Sequence, residues 1–430
     1  MKLLVIGSGG REHALVWKLA QSPHAKRLWC APGNAGIAGE TLAAGGRPVE
    51  CVPLSADDLP QLLTFAQDQA VDLTVVGPDN PLAAGIVDLF QEQGLRIWGP
   101  NRRAAQFESS KVFAQEFMEK HGIPTARSGT FATAEPARAF AASLGGCCAV
   151  KADGLALGKG VLICHTIPEA NQAIAEILVD KAFGAAGARI VIQELLEGVE
   201  ISLHALCDGR TAKLFPTAQD HKRALDGDLG LNTGGMGTYS PTPFVTADEL
   251  ERIGQAILGP WLAGCAEERI DFRGILYPGV MLTPDGPKVL EFNARFGDPE
   301  TQVYLTRLEN DLVELLDASA AGTLSAQTLR WRGEASVCVV MASGGYPGAV
   351  TKGKVITGLT AAAQMPHTKV FHAGTAKSGD GIVTNGGRVL GVTAWADSLA
   401  AARLAAYAAV DKIQFDGAQF RRDIAAKGLR

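Results

Sequence analysis

The chain has little aromatic character, 6% of its 430 residues, and none of its eight cysteines form a C-x-x-C pair. Cys147 and Cys148 are adjacent and the others are scattered. That pattern excludes a zinc ribbon and points to reduced thiols rather than a disulfide framework. Surplus basic charge is also missing. Lys and Arg number 40 against 45 Asp and Glu, a net charge of −5. Neither nucleic acid nor an anionic membrane surface is an expected partner. No apolar run approaches the roughly 18 residues of a membrane span; Val337–Ala342 is only strand-length. Met1–Gly7 runs into a glycine turn too soon for the apolar core of a signal peptide. Internal repeats and low-complexity tracts are absent. These gaps lead to an expectation of a cytoplasmic globular protein.

Glycine is what the chain has in excess. There are 50, against an average usage of about 7%. No G-x-y period occurs, so collagen is excluded. With 47% hydrophobic and 20% charged residues, disorder is excluded too. The remaining choice is between a turn-rich scaffold and backbone that must come close to a ligand.

Alternation of short apolar runs with helical stretches organises the first hundred residues. Strands are expected at Lys2–Ile6, Leu28–Ala31, Leu73–Val76 and Arg96–Trp98, with helices at Arg11–Ala20, Leu59–Gln69 and Leu82–Gln91. Such spacing predicts a doubly wound parallel sheet, whose ligands bind beyond the carboxyl ends of its strands. Three of these ends are glycine loops: Gly7–Gly10, Pro32–Gly36 and Gly77–Pro81. Ser109–His121 opens a second, α+β region. After Trp331, Ala335–Met341, Lys369–Ala373 and Arg388–Ala394 read as antiparallel strands, closed by a helix at Ser398–Ile413. The fold class is therefore α/β and α+β multidomain. The expected divisions are 1–103, 104–330 and 331–430.

Gly7-x-Gly9 resembles the start of a dinucleotide fingerprint, but Glu12 stands where the third glycine belongs. The second strand ends Cys30-Ala31-Pro32-Gly33, without the acid that would hold a ribose. Nicotinamide chemistry is disfavoured, although backbone N–H groups at a helix start still suit a phosphate. Lys151-Ala152-Asp153-Gly154-Leu155-Ala156-Leu157-Gly158-Lys159-Gly160 combines three glycines with two lysines, which suits an oxyanion. It is not a P-loop, because Gly160 stands where Ser or Thr is needed. Alone it could equally be a hairpin loop. Val191–Glu200 is an apolar strand running into acids. Glu291-Phe292-Asn293 places two oxygen ligands on one face of a strand, about 7 Å apart, able to share a hard cation. Arg295-Phe296-Gly297-Asp298-Pro299-Glu300 follows at once, and an arginine there suits developing phosphoryl charge. Asp220-His221-Lys222-Arg223 and Asn232–Pro241 complete the set. His221 is read as structural.

Taken in order, Gly9–Ala14, Pro32–Gly36, Lys151–Gly160, Asp220–Arg223, Asn232–Pro241 and Arg295–Gln302 resemble the phosphoribosylamine–glycine ligases, an ATP-grasp family of purine synthesis. The likeness runs to Phe420–Ile424 and covers essentially the whole chain. It implies ligation of glycine to 5-phosphoribosylamine, with ATP and magnesium or manganese as cofactors. By this resemblance Lys111, Lys151, Gly158, Lys159, Gln193, Glu194, Leu196 and Glu200 hold ATP, and Glu291 and Asn293 the metal. Lys159, Arg295, Lys222 and Asp220 are the implied catalytic residues. Gly9, Gly10, Gly33, Asn34, Gly77 and Pro78, with Asp220, Lys222, Arg295 and Gly297, are the implied substrate contacts. A closing lid is implied within about 124–196. The alternatives are another ATP-grasp ligase with a nucleotide-like acceptor and, from a different class, a nicotinamide-dependent oxidoreductase. Two departures from the family pattern stand out: Gln193 replaces a common glutamate, and Asp79 a usual glutamate after Gly77-Pro78.

Overall fold

The computed structural model describes residues 1–155 and 160–429. The N-terminal sheet is fully parallel, in the order β3-β2-β1-β4-β5: β1 (Lys2–Gly7), β2 (Arg27–Pro32), β3 (Glu50–Cys51), β4 (Leu73–Val76) and β5 (Ile97–Trp98). Leu3, Leu4, Val5 and Ile6 of β1 are wholly buried, because both faces of the sheet are covered. The three glycine loops lie together at the carboxyl ends of β1, β2 and β4. Helix α1 (Gly10–Leu19) follows the first of them. One expected element differs: Leu82–Gln91 is not a single helix. The chain breaks at Gly85, whose φ of +91° stops one short helix, Asp79–Ala84, before the next, Ile86–Glu92.

Ser110 caps helix α2 (Lys111–Lys120), its Oγ accepting the Phe113 N–H at 3.1 Å. An antiparallel sheet follows, in the order β6-β9-β7-β8: β6 (Ser128–Phe131), β7 (Cys148–Ala152), β8 (Val161–Cys164) and β9 (Ile190–Glu194). Its core is its own, with Val150, Ala152, Ile174, Ile177, Ile190 and Ile192 packed on one another. A core of this kind lets the sheet act as one body over the site.

The central sheet contains β10 (Val199–Ser202), β11 (Ala205–Asp208), β12 (Ala212–Leu214), β17 (Arg273–Thr283) and β18 (Gly286–Asn293). The long helix α3 (Ala247–Glu267) packs on it through Ile253, Ile257 and Trp261. A further sheet joins two regions that the sequence reading separates. Its order is β13-β16-β19-β24-β21, with β13 (Gln219–Asp220) and β16 (Gly237–Ser240) from the middle of the chain. Strands β19 (Ala335–Ala342), β21 (Thr368–His372) and β24 (Arg388–Ala396) come from the end. The hairpin β14 (Arg223–Leu225) and β15 (Leu229–Asn232) stands apart, as do the short strands β20 (Val355–Ile356), β22 (Thr375–Ser378) and β23 (Gly381–Thr384). Helices α4 (Glu300–Arg307) and α5 (Leu312–Ala321) share a core with α1 and the N-terminal sheet, while α6 (Leu399–Val410) covers the last sheet. Burial on three sides thus brings loops from all three regions to one cleft.

Candidate active site

Strand period places the two proposed metal ligands. On β18, Glu291 and Asn293 flank the buried Phe292 and share the opposite face. Glu200, on β10, lies diagonally across β17 from Glu291. Between them is Gly279; a Cβ there would lie 3.8 Å from both Glu200 Oε1 and Glu291 Cγ. Small size at 279 keeps the two carboxylates on a common floor.

Four cations surround this floor. Lys111 Nζ is 3.6 Å from Glu291 Oε2, and Lys222 Nζ is bonded to Glu200 Oε1 at 2.5 Å. Arg295 Nη2 lies 2.9 Å from Glu108 Oε1 and 3.3 Å from Asn293 Oδ1. Lys151 is different. It is 6% exposed, its ammonium donates to the Leu290 carbonyl at 2.8 Å, and among the described residues it has no salt-bridge partner. Burial lowers its pKa to about 8. Burial alone would push the Glu291 carboxyl up, but Lys111, Lys222, Lys151 and Arg295 override it and hold the pKa at about 2. Burial likewise works against the charge of Lys222, and Glu200 and Glu291 override it, so its pKa is raised. The floor is therefore ionised oxygen ringed by more positive charge than it neutralises.

The Lys111, Lys151, Gln193 and Glu291 side chains line a single pocket with Met118 and Phe292. Gln193 sits on β9 opposite Ala149, on the same face as Lys151. Its Nε2 donates to Gln115 Oε1 at 2.7 Å, and Gln115 donates on to Glu119 at 3.1 Å. That relay gives the glutamine at 193 a partner suited to an amide. Glu194 turns away: its Oε1 accepts the Arg127 N–H at 2.9 Å. Leu196 follows β9 in the connection to β10 and is partly buried. Gly158 and Lys159 lie outside the described residues.

On the other wall, Asp220 is the last residue of β13. Burial and the nearby Glu300 carboxylate raise its pKa well above the usual range. Gly235 leans on it: with φ of +112°, its Cβ position is 2.8 Å from Asp220 Oδ1 and 2.6 Å from Pro299 Cδ. No side chain could occupy that position without moving one of them. Gly297 is similarly pressed between Glu300 and His204. His221 is buried, with Nδ1 3.0 Å from the Gly237 carbonyl, a structural placement.

The N-terminal loops meet the same cleft. The Glu12 carboxylate fills the first turn of α1, accepting the Gly9 N–H at 2.6 Å and the Arg11 Nε–H at 2.5 Å. A Cβ on Gly77 would be 2.1 Å from Glu12 Oε1. Glu12 therefore explains both the missing fingerprint glycine and the need for glycine at 77, and it occupies the helix start where a dinucleotide pyrophosphate would sit. Pro78 caps the short helix that begins at Asp79. The Asp79 charge faces Arg295 and Glu108. Gly9 and Gly10 face Asp298, whose oxygens lie 3.5 Å from each Cβ position. Gly33 has φ of +70° and covers Cys51. Asn34 is fully engaged: it donates to the Ser8 and His372 carbonyls at 2.8 Å and accepts from the Gly36 and Ile37 N–H groups. It braces two loops against the C-terminal region.

Three residues of the cleft carry no sequence signal. Glu108 is 7% exposed and also accepts the Ala294 N–H at 2.8 Å. Burial raises its pKa, and Arg295 opposes that. His204 is fully buried, stacked 4.0 Å from the Tyr277 ring, with Nε2 unpartnered among the described residues. Arg388 arrives from β24, 90 residues beyond the Asp298 that it pairs with. The Gly386-Gly387 pair before Arg388 reads in sequence only as a turn.

Family profiles match along the chain in order: "Phosphoribosylglycinamide synthetase, N domain" over residues 1–108, its ATP-grasp (A) domain over 109–301, and its C domain over 336–427. The chain is 47% identical over 430 residues to the phosphoribosylamine–glycine ligase of Vibrio cholerae, covering 100% of this chain and 99% of that one. It is 48% identical over 431 residues to that of Ralstonia nicotianae, with both chains fully covered. The crystal structure of the Thermotoga maritima phosphoribosylamine–glycine ligase superposes with a TM-score of 0.82 at 33% identity, covering 99% of this chain and 100% of that one. A biotin carboxylase domain from Hydrogenobacter thermophilus, 16% identical with a TM-score of 0.73, covers 97% of this chain and 91% of that domain and shares the fold. The chain belongs to the phosphoribosylamine–glycine ligase family.

Proposed function

We propose that this cleft joins glycine to 5-phosphoribosylamine at the expense of ATP, giving glycinamide ribonucleotide, ADP and phosphate. The observation that carries the ATP half is Lys151, a buried ammonium facing a carbonyl, in a ring of four cations around the Glu200 and Glu291 carboxylates. Such a ring suits a polyphosphate. Lys111 and Lys222 complete it among the described residues, and Lys159 is assigned to ATP by the resemblance alone. Gln193, Leu196 and Glu200 border the nucleoside, and Glu194, whose side chain turns away, would do so through its backbone. Glu291 and Asn293 offer hard oxygen donors on one face, with Glu291 ionised throughout the physiological range, so they fit magnesium or manganese. When bound, the cation would neutralise phosphate oxygens during transfer.

The reaction has two steps. A glycine carboxylate oxygen attacks the γ-phosphorus, the bond to the β-bridging oxygen breaks, and ADP leaves. The amine of phosphoribosylamine then attacks the carbonyl carbon of glycyl phosphate. Cleavage of the C–O bond expels phosphate, and the amide nitrogen loses a proton. Arg295 and Lys222 face the charge that develops on the phosphoryl oxygens. Asp220, its basicity raised by burial and the nearby Glu300, is placed to take the proton. Gly9, Gly10, Gly33, Asn34, Gly77 and Pro78 shape the acceptor side. Exclusion of water matters because the acyl phosphate hydrolyses, a task for the sheet β6–β9. The enzyme works on small molecules alone, in the cytoplasm and as a monomer. Phosphate release from ATP is expected only with glycine, and stoichiometric amide formation only when phosphoribosylamine is added. Release that demands another acid or acceptor overturns the reading.

Lys151 also gives a pH signature. ATP binds the protonated ammonium, whereas the free site loses that proton as pH rises through about 8. Affinity is therefore expected to fall above pH 8, up to tenfold per unit, with one proton taken up on binding. Calorimetry in two buffers of different ionisation enthalpy measures the uptake. Lys151→Met should remove the slope; an unchanged slope assigns it to another group.

A further inference from the structure

The C-terminal region reaches the Asp298 side of the cleft through Arg388. Arg388, on β24, donates from Nη1 to the carbonyls of Gly234 and Asp298, both at 2.6 Å, and from Nη2 to Asp298 Oδ2 at 3.1 Å. The Gly234 N–H donates to the Tyr346 hydroxyl at 3.0 Å, and Gly387 is bare because the Tyr346 ring lies 2.4 Å from its Cβ position. Gln302 fixes the other Asp298 oxygen at 2.8 Å. Held from both sides, the Asp298 carboxylate lies against Gly9 and Gly10, its oxygens 3.5 Å from each Cβ position, and its side chain keeps 16% of its surface open to the cleft. Each oxygen keeps a lone pair unused by these contacts. A guanidinium fork reaching three oxygens at once supplies direction that a lysine could not.

We propose that Arg388 is a positioning residue for the acceptor: it aims the open side of the Asp298 carboxylate, beside the Gly9-Gly10 turn, at hydroxyl or amine hydrogens of a phosphorylated aminosugar. This rests on the acceptor assignment made above. The same fork sets the Gly234-Gly235 turn against Asp220, so the C-terminal region orders both flanks of the acceptor without touching ATP.

The test measures kcat and KM for each of the three substrates in wild type, Arg388→Ala, Arg388→Lys, Asp298→Asn and the Arg388→Ala/Asp298→Asn double variant. Wild-type turnover with phosphoribosylamine is established first, so that failure of the acceptor assignment is seen separately. Arg388→Ala is expected to lower kcat/KM for phosphoribosylamine about 100-fold, the cost of an ångström-scale misplacement, with KM for ATP and glycine within about twofold. Arg388→Lys should recover little of this, whereas added ethylguanidinium should restore part of the alanine variant's activity. The double variant should lose clearly less than the product of the two single losses, because the shared Arg388–Asp298 contact is counted once. Equal loss toward all three substrates, full recovery by lysine, or additive losses in the double variant would each overturn the proposal. Should Arg388→Ala fold poorly, the Asp298→Asn comparison and the Arg388→Lys profile still decide.

Discussion

Glu291→Gln should lower the rate of ligation by about 10²–10³-fold, the scale of removing one electrostatic contact from a transition state. Glutamine keeps the shape of the side chain and removes the one charge that Lys111, Lys222, Lys151 and Arg295 converge on. Two binding curves should then move in opposite directions. The magnesium titration should shift to higher concentration by at least the 10–100-fold that loss of a supporting contact costs a metal site. Binding of metal-free ATP should tighten, because a negative charge has left the phosphate pocket. A merely misfolded variant would weaken both. An unchanged magnesium titration would count against Glu291 as a ligand. The charge also carries a stability signature. The carboxyl is depressed from 4.5 to about 2, so its contribution is present above pH 4.5 and lost as pH falls through 2. Glu291→Gln should therefore flatten the acid limb of the wild-type unfolding profile.

Removing Arg295 should be still more severe for turnover, about 10³-fold or more, because in the proposed reaction it would face the developing charge, and it also holds Asn293 Oδ1 and Glu108. Breaking a buried pair by deleting one partner typically costs about 3–5 kcal/mol. Here the cost should be moderated, since the Glu108 carboxyl is already raised by burial and can neutralise itself by taking up a proton. The sign follows. With the arginine gone, the folded-state pKa of Glu108 rises further, so the Arg295→Ala protein is least affected at low pH and loses stability as pH rises. Adding Glu108→Gln should remove that pH dependence and recover much of the stability, while activity stays lost. Recovery of activity along with stability would make Arg295 a structural residue only. Melting curves across pH, run beside steady-state kinetics on both variants, separate the two outcomes.

Much of the site was legible as local chemistry. A strand period of two is enough to put Glu291 and Asn293 on one face, and glycines at three strand ends are enough to mark a parallel sheet's ligand edge. Lys151 could be named from its loop, but not its environment: that its ammonium is buried against Leu290, 139 residues away, depends on how β7 packs over β18. Glu108 was invisible because nothing in Gln106–Ser109 differs from an ordinary helical turn; its meaning comes from Arg295, far along the chain. Asn34 reads in sequence as a ligand contact; that its side chain also makes four internal hydrogen bonds, bracing two loops, depends on the fold. Glu12 broke a familiar glycine pattern, and only the fold gave the reason, a carboxylate filling the space between β1 and β4.

By itself the sequence determined the chemistry of the backbone near each ligand loop, the facing of side chains on each strand, and the order of the motifs along the family's pattern. Those properties depend on neighbours within a few residues, through steric and hydrogen-bonding rules that act locally. The tertiary structure alone decided which charges meet: Arg295 with Glu108, Lys222 with Glu200, Arg388 with Asp298. It also decided that strands from the middle and the end of the chain share one sheet. Such pairings follow from the burial of apolar faces in a common core, and the electrostatics of the cleft follow from how far that burial excludes water.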